Sequence, residues 1–490
     1  MKNLDSDSHH SSSLPGNGTV KKNGDVEFIM GWYGRPIAKM KYSGVNFGFD
    51  YETGWMLPLE SYKTRPPGKE PMFLRSFLPN WVEGGRSNDK AANIAMVKFF
   101  QEQQLFLSNI AIVQDIGRLR DIKNNHLYGR LRDFTSDDGV FTGGQGDIRV
   151  MTRNEEADIT AYAKEKQLTQ ISGAQTKISM YLSQEGDLSS VAHQPATHIV
   201  KYAGFGQDPF RARGAAEWVG MTLARAGGVN CAEFALIEMP SEGGTTLNYL
   251  TERFDIPTSH EDERLIFCEE LGAALGAHPA KTDLMTLNEV IDGVKNFSSN
   301  KLRDFNDLFK QVAANCILEN GDFHARNLSL IKVASPTLDG FRSVRLSPAY
   351  DVMRTRDFSR TPTVPGERDE MRLCFEDAQG DYIQFNEPTI AQFVVVGKAM
   401  ELTAIQSEKM LFNVASGMLD VAREIHSKQP KVFDRHEPAR IHVIETCHAV
   451  IKNVLDMFPE LKKTEDLERE IDESESIPVS RSSRTSPGWR

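Results

Sequence analysis

Asp322 and Asn327 stand five residues apart in the run Asn320-Gly321-Asp322-Phe323-His324-Ala325-Arg326-Asn327. Enzymes that move a phosphoryl group need an Asp beside the acceptor hydroxyl and an Asn oxygen on the metal. Protein kinases place the two at this D-x-x-x-x-N spacing on one loop. The pair alone equally fits an Asx turn at a helix end. A second candidate is Asp351 in Leu346-Ser347-Pro348-Ala349-Tyr350-Asp351. Magnesium takes hard oxygen ligands, usually one or two carboxylates plus substrate phosphates, and Asp351 is placed to supply one.

Three upstream pieces complete the set. The run Ile171-Ser172-Gly173-Ala174-Gln175-Thr176-Lys177-Ile178 puts small residues between apolar segments, as in a hairpin whose amides approach phosphate. It is neither a Walker A loop nor a GxGxxG. Lys201 ends the strand-like His198-Ile199-Val200-Lys201, and Glu217 follows sixteen residues on, early in a helical pattern that stops at Gly227-Gly228. A helical Glu paired with a strand Lys orients that Lys toward phosphates. Glu252 and Phe254, in Leu250-Thr251-Glu252-Arg253-Phe254-Asp255, read as a connection between lobes, with Phe254 a face for an adenine. Each piece has a bland reading as a turn, surface Lys or strand end. Their order along the chain is that of a two-lobed kinase.

The elements that must position these residues are legible in outline. Val26–Tyr33 and Pro36–Tyr42 read as strands, and Lys90–Gln104 has helical composition. The Gly-rich 138–147 reads as a flexible connection. In the second half, Leu302, Phe305, Phe309, Val312 and Cys316 recur on one helical face, as do Leu411, Val414, Met418, Val421 and Ile425. The first helix delivers the Asp322 loop, and the apolar Leu328-Ser329-Leu330-Ile331 leads away from it as a strand. Residues 1–25 and 463–490 read as disordered tails. No repeat of solenoid length is present.

Composition bounds the class. Of 490 residues, 40% are hydrophobic and 26% charged, the proportions of a folded globular chain. Five dispersed cysteines exclude a disulfide framework and fit a reducing, cytoplasmic setting. No apolar run reaches the ~18 residues of a membrane helix, and the N-terminus lacks a secretory signal. The net charge of −11 argues against coating DNA directly, so any DNA contact is expected through a partner.

Together, Ser172–Lys177, Thr197–Lys201, Glu217–Val229, Glu252–Asp255, Asn320–Asn327 and Ser347–Asp351 resemble the HipA family, the serine/threonine-kinase toxins of bacterial HipBA toxin–antitoxin modules. The resemblance covers roughly residues 26–460. It implies an α+β, two-lobed, protein-kinase-like fold with a mixed α/β N-terminal half and an all-helical C-terminal half. The implied divisions are an N-terminal subdomain over 26–145, a kinase-like N-lobe over 146–255 and a helical C-lobe over 256–462. ATP and Mg2+ would bind between the lobes. Asp322 would be the catalytic aspartate with His324 beside the reacting phosphate, and Asn327 and Asp351 the magnesium ligands. Lys201 would hold phosphate with Glu217 orienting it. Ser172, Gly173, Ala174, Gln175 and Lys177 would form the phosphate loop, and Glu252 and Phe254 the adenine hinge. A HipB-like helix-turn-helix antitoxin is the implied partner, and a translation factor such as an aminoacyl-tRNA synthetase the implied substrate. Studied members carry a regulatory serine where this chain has Gln170, which puts that self-inactivation in doubt. A non-catalytic corepressor role and a kinase of a non-protein acceptor are the alternatives.

Overall fold

The computed structural model describes residues 26–32, 35–43, 46–51, 105–107, 110–117, 128–145, 177–190, 197–202, 212–241, 244–257, 265–277, 284–335, 341–355, 373–377, 379–380, 382–383 and 389–462. The expected helix over Lys90–Gln104, the two tails, Gln170 and Ser172–Gln175 lie outside them.

Both N-terminal strands are present. β1 (Val26–Trp32) pairs antiparallel with β2 (Arg35–Ser43), which pairs with β3 (Asn46–Tyr51). On its other edge β1 meets β5 (Ile110–Val113), which pairs with β4 (Leu105–Leu107). Phe28, Met30 and Trp32 alternate inward, as a half-buried strand requires.

A six-stranded sheet follows. Its members are β6 (Gly144–Gln145), β7 (Lys177–Leu182), β8 (Asp187–Ser190), β9 (His198–Lys201), β10 (Phe234–Ser241) and β11 (Gly244–Glu252). The spatial order is β10-β11-β9-β7-β8-β6, with β9 inside. Its two faces bury different residues. Leu236, Leu247 and Tyr249 join the core around helix α1 (Arg213–Ala226). Ile178, Val200, Ala235 and Leu250 pack under Leu131 and Phe141. Residues 138–145 of the Gly-rich stretch expected to be a flexible connection are instead held against the sheet. Phe141 donates its amide to Leu236 O, Leu236 donates to Gly139 O, and β6 joins the sheet edge beside β8. Phe141 anchors it, an apolar residue among glycines that the composition argument overlooked.

The C-terminal half is mainly helical, but it also contains a three-stranded sheet of β12 (Ile266–Glu270), β13 (Ser329–Ala334) and β14 (Phe341–Leu346), ordered β12-β13-β14. Short β15 (Phe375–Glu376) and β16 (Tyr382–Ile383) form a further pair. The all-helical expectation is corrected here. These strands are brief, mixed polar and apolar segments between long amphipathic helices, which dominate the pattern. Trp32 packs edge-on against Phe267 of β12, ring centroids 6.3 Å apart.

The helices are α2 (Leu271–Ala274), α3 (Leu287–Phe297), α4 (Lys301–Ile317), α5 (Ile390–Ala399), α6 (Ala404–Ser427) and α7 (Glu437–Met457). Thr286, Thr389 and Thr403 open α3, α5 and α6 with capping boxes closed by Glu289, Gln392 and Gln406. On α4, Phe305, Phe309, Val312 and Cys316 are buried as the stripe requires, while Leu302, in the first turn, is exposed. On α6, Leu411, Val414, Met418 and Ile425 are buried and Val421 half-buried. No helix among the described residues is long and apolar enough to cross a membrane.

Candidate active site

Lys201 ends β9 with β7 on one side and β11 on the other. In register it faces Lys177 and Tyr249. Lys177, the last residue of the expected phosphate loop, is thus directly beside Lys201; Ser172–Gln175 lie outside the described residues. Helix α1 ends at Ala226 and is followed by Gly227 and Gly228, the latter at a φ of 77° that is open to glycine without strain. One turn into it, Glu217 is buried, and its Oε1 accepts from Lys201 Nζ at 2.6 Å. Asp351 Oδ1 makes a second ion pair with the same ammonium. The strand Lys, the helix Glu and the loop Asp therefore meet at one point.

The Asp322 loop grows from the end of α4. Glu319 takes φ 56°, a left-handed turn that breaks the helix, and ion-pairs with Arg354 at 3.4 Å. Asn320 then ties two loops together. Its Nδ2 donates to Asn315 Oδ1 (2.7 Å) and to Asp351 O (3.3 Å), and its Oδ1 accepts from the Asp322 amide (3.1 Å). Gly321 donates its amide to Thr355 Oγ1 at 2.7 Å. Asn327 Nδ2 donates to Asp322 O at 2.9 Å, closing the loop on itself. The Asp322 carboxylate is 55% exposed and lies 3.6 Å from Nε2 of the buried His324. Asp351 itself has φ 56°, an unusual backbone for a residue with a side chain, held by the contacts around it.

The donor set suits magnesium. Asn327 uses its amide nitrogen internally, which leaves Oδ1, and Asp351 supplies a carboxylate one-third exposed. Among the described residues no cluster of three or more His, Cys, Asp or Glu forms a protein-only metal cage. Two oxygen ligands completed by phosphate is the arrangement a magnesium nucleotide takes.

At the connection between lobes the two expected residues differ. Phe254 lies against Tyr350, centroids 5.7 Å apart and planes tilted 31°. The Glu252 carboxylate instead ion-pairs with Arg130 at 2.6 Å and accepts the Leu131 amide at 2.9 Å. Burial pushes its pKa up, against the pull of that amide and of Arg130. The Glu252 side chain is thus committed to Arg130 and Leu131, and its amide donates to Glu233 O at 2.9 Å.

Asn320, Thr355 and Tyr350 received no role from sequence. Tyr350 donates to Arg326 O at 3.0 Å and pairs with Ser329 Oγ at 2.7 Å, so that hydroxyl must donate to it. Tyr350 thereby joins the Asp322 loop, β13 and Phe254. Its position next to Asp351 was the only available signal.

Residues 169–409 match the family of the HipA-like C-terminal domain. Among solved structures, HipA of Shewanella oneidensis MR-1, in a complex with HipB and its operator DNA, aligns over 88% of this chain and 97% of that one. Its TM-score is 0.58 at 15% identity. The Helicobacter pylori proinflammatory kinase CtkA aligns over 58% of this chain and 94% of that one, with a TM-score of 0.35 and 14% identity. No curated protein matches significantly. Residues 169–409 thus match a HipA-like C-terminal domain, and the chain shares the fold of HipA.

Proposed function

We propose that the chain is an ATP-dependent serine/threonine protein kinase acting as the toxin of a HipBA-type pair. The observation that carries the reading is Lys201 held between Glu217 and Asp351 beside the loop of Asp322 and Asn327. Such a lysine is oriented to meet the phosphates of ATP, and Phe254 and Tyr350 offer an aromatic face to the adenine. Asn327 Oδ1 and Asp351 would hold Mg2+, which when bound neutralises charge on the transferring phosphate. The exposed Asp322 carboxylate would orient the acceptor hydroxyl and take its proton, and His324 would lie next to the reacting group. Ser172–Lys177 would cover the phosphates. The partner would be a HipB-like helix-turn-helix antitoxin, which would make any DNA contact, and the acceptor a bacterial translation factor such as an aminoacyl-tRNA synthetase.

The test is transfer of label from ATP to proteins of a bacterial lysate, with Asp322→Asn as control. Loss of the general base should lower the rate by about 10²–10⁴-fold. A variant that keeps more than about a tenth of the wild-type rate refutes the assignment. Consumption of ATP with no protein labelled would move the acceptor to a non-protein molecule. A second reading, a corepressor acting with an antitoxin, is favoured by the HipB–operator complex of the S. oneidensis relative. It predicts that Asp322→Asn leaves operator binding unchanged.

A further inference from the structure

Gly220 lies three residues after Glu217, on the same side of α1. A Cβ there would stand 2.8 Å from Met353 Cα, 2.9 Å from the Val352 carbonyl carbon and closer still to the Val352 oxygen. All three are backbone atoms, so no side-chain rotation relieves the overlap. Helix and loop therefore touch main chain to main chain, immediately after Asp351. The loop has little slack at this point. Val352 is buried, Asp351 is left-handed, and Asn320 holds the Asp351 carbonyl from the other side. One turn of α1 thus sets two things together: Glu217 against Lys201, and the height at which residues 351–353 sit on the helix.

We infer that Gly220 is a positioning residue, whose missing side chain lets the Asp351 loop seat at the depth where its carboxylate meets Lys201 and can reach a magnesium ion. The inference rests on the kinase reading and is tested apart from it. An alanine at 220 must lift residues 351–353 or push α1 outward. Lifting the loop separates the Asp351 carboxylate from Lys201 and leaves the groups proposed to touch nucleotide in place, whereas pushing α1 outward would draw Glu217 from Lys201 and weaken binding without Mg2+ as well. In an unobstructed helix, Gly→Ala favours folding. A loss of metal coupling in a protein that still folds is then attributable to the contact.

The experiment is calorimetric titration of full-length wild type and Gly220→Ala with a non-hydrolysable ATP analogue over a range of Mg2+, with thermal melts of both. Gly417→Ala is the comparison, because it presses on the Ala226 carbonyl at the far end of the same helix. The expected result is that Gly220→Ala requires at least about tenfold more Mg2+ for half-saturation, the usual effect of disturbing a ligand's support. Its affinity for the analogue without Mg2+ should match wild type, and Gly417→Ala should show no change in Mg2+ requirement. Equal Mg2+ requirement in folded Gly220→Ala and wild type overturns the inference. Wild type that binds no analogue overturns the kinase reading instead. If Gly220→Ala does not fold, hydrogen exchange of wild type decides. Binding of the Mg2+ analogue must then slow exchange in 351–353 and in 219–222 together, and protection of 351–353 alone overturns the inference.

Discussion

Lys201 sits between two carboxylates of unequal burial, and that inequality predicts the outcome of a double-mutant cycle. The Glu217 side chain is 2% exposed and that of Asp351 33%. At 2.6 Å and an effective dielectric of 20, the Lys201–Glu217 attraction is about 6 kcal/mol, most of it offset by desolvation. Lys201→Met leaves Glu217 charged and alone in the interior, which should cost about 3–5 kcal/mol. Glu217→Gln leaves Lys201 with Asp351 and should cost only about 1–2 kcal/mol. The double variant carries neither buried charge, so it should be more stable than the sum of the two losses by about 2 kcal/mol. Urea denaturation followed by circular dichroism reads all four proteins, and midpoint differences at constant slope give the energies. The coupling should persist at high salt because the pair is shielded from solvent. If Glu217→Gln proves as costly as Lys201→Met, or the losses simply add, the asymmetric clamp is refuted.

Two other perturbations follow the same physics. Lys332 and Glu269 form a fully buried ion pair at 2.6 Å across β12 and β13. Lys332→Met should destabilise by about 3–5 kcal/mol, and adding Glu269→Leu should restore most of it, as measured by thermal melts; a double variant worse than either single one would contradict this. His198 is buried, and desolvation, aided by Arg130, lowers its pKa to about 3. Between pH 6.5 and about 3 the unfolded chain binds a proton there that the folded chain does not. Stability should therefore fall with acidification across that window, by about 1.4 kcal/mol per pH unit from this group. His198→Asn should flatten the slope of stability against pH, and an unchanged slope would show that His198 contributes nothing to it.

The parts of the fold visible in sequence were those with a strong period or a chemical signature. The α4 stripe from Phe305 to Cys316 and the Asp322–Asn327 loop at its end were both legible, because an amphipathic helix followed by polar residues states its own boundary. Lys201 and Glu217 could be paired only by analogy of order. Nothing in their sixteen-residue spacing shows that β9 lies inside a sheet with α1 across it. The strands β12 and β14 were hidden among helices, since five or six residues with three apolar side chains do not distinguish a strand from a helix fragment. Glu252 illustrates another limit. Its partner Arg130 is 122 residues away, and a strand-end carboxylate reads the same whether it faces a ligand or a distant arginine. Tyr350 and Asn320 act largely through hydrogen bonds to main-chain atoms (Arg326 O, Asp351 O and the Asp322 amide), which leave no pattern in side-chain type.

Trp218, next to Glu217 on α1, packs against Phe433 with ring centroids 5.6 Å apart, and Glu238 of β10 binds Arg435 and His436. The helix carrying the lysine's partner is thus supported by the C-terminal helices, some 200 residues later in the chain. During synthesis this has a temporal consequence. At about 5–20 residues per second, roughly 12–46 s separate translation of the end of α1 from that of the end of α7. For most of that interval a nascent chain has Lys201 and Glu217 outside the ribosome, with α1 resting on β10 and β11 alone and its C-terminal support still unmade.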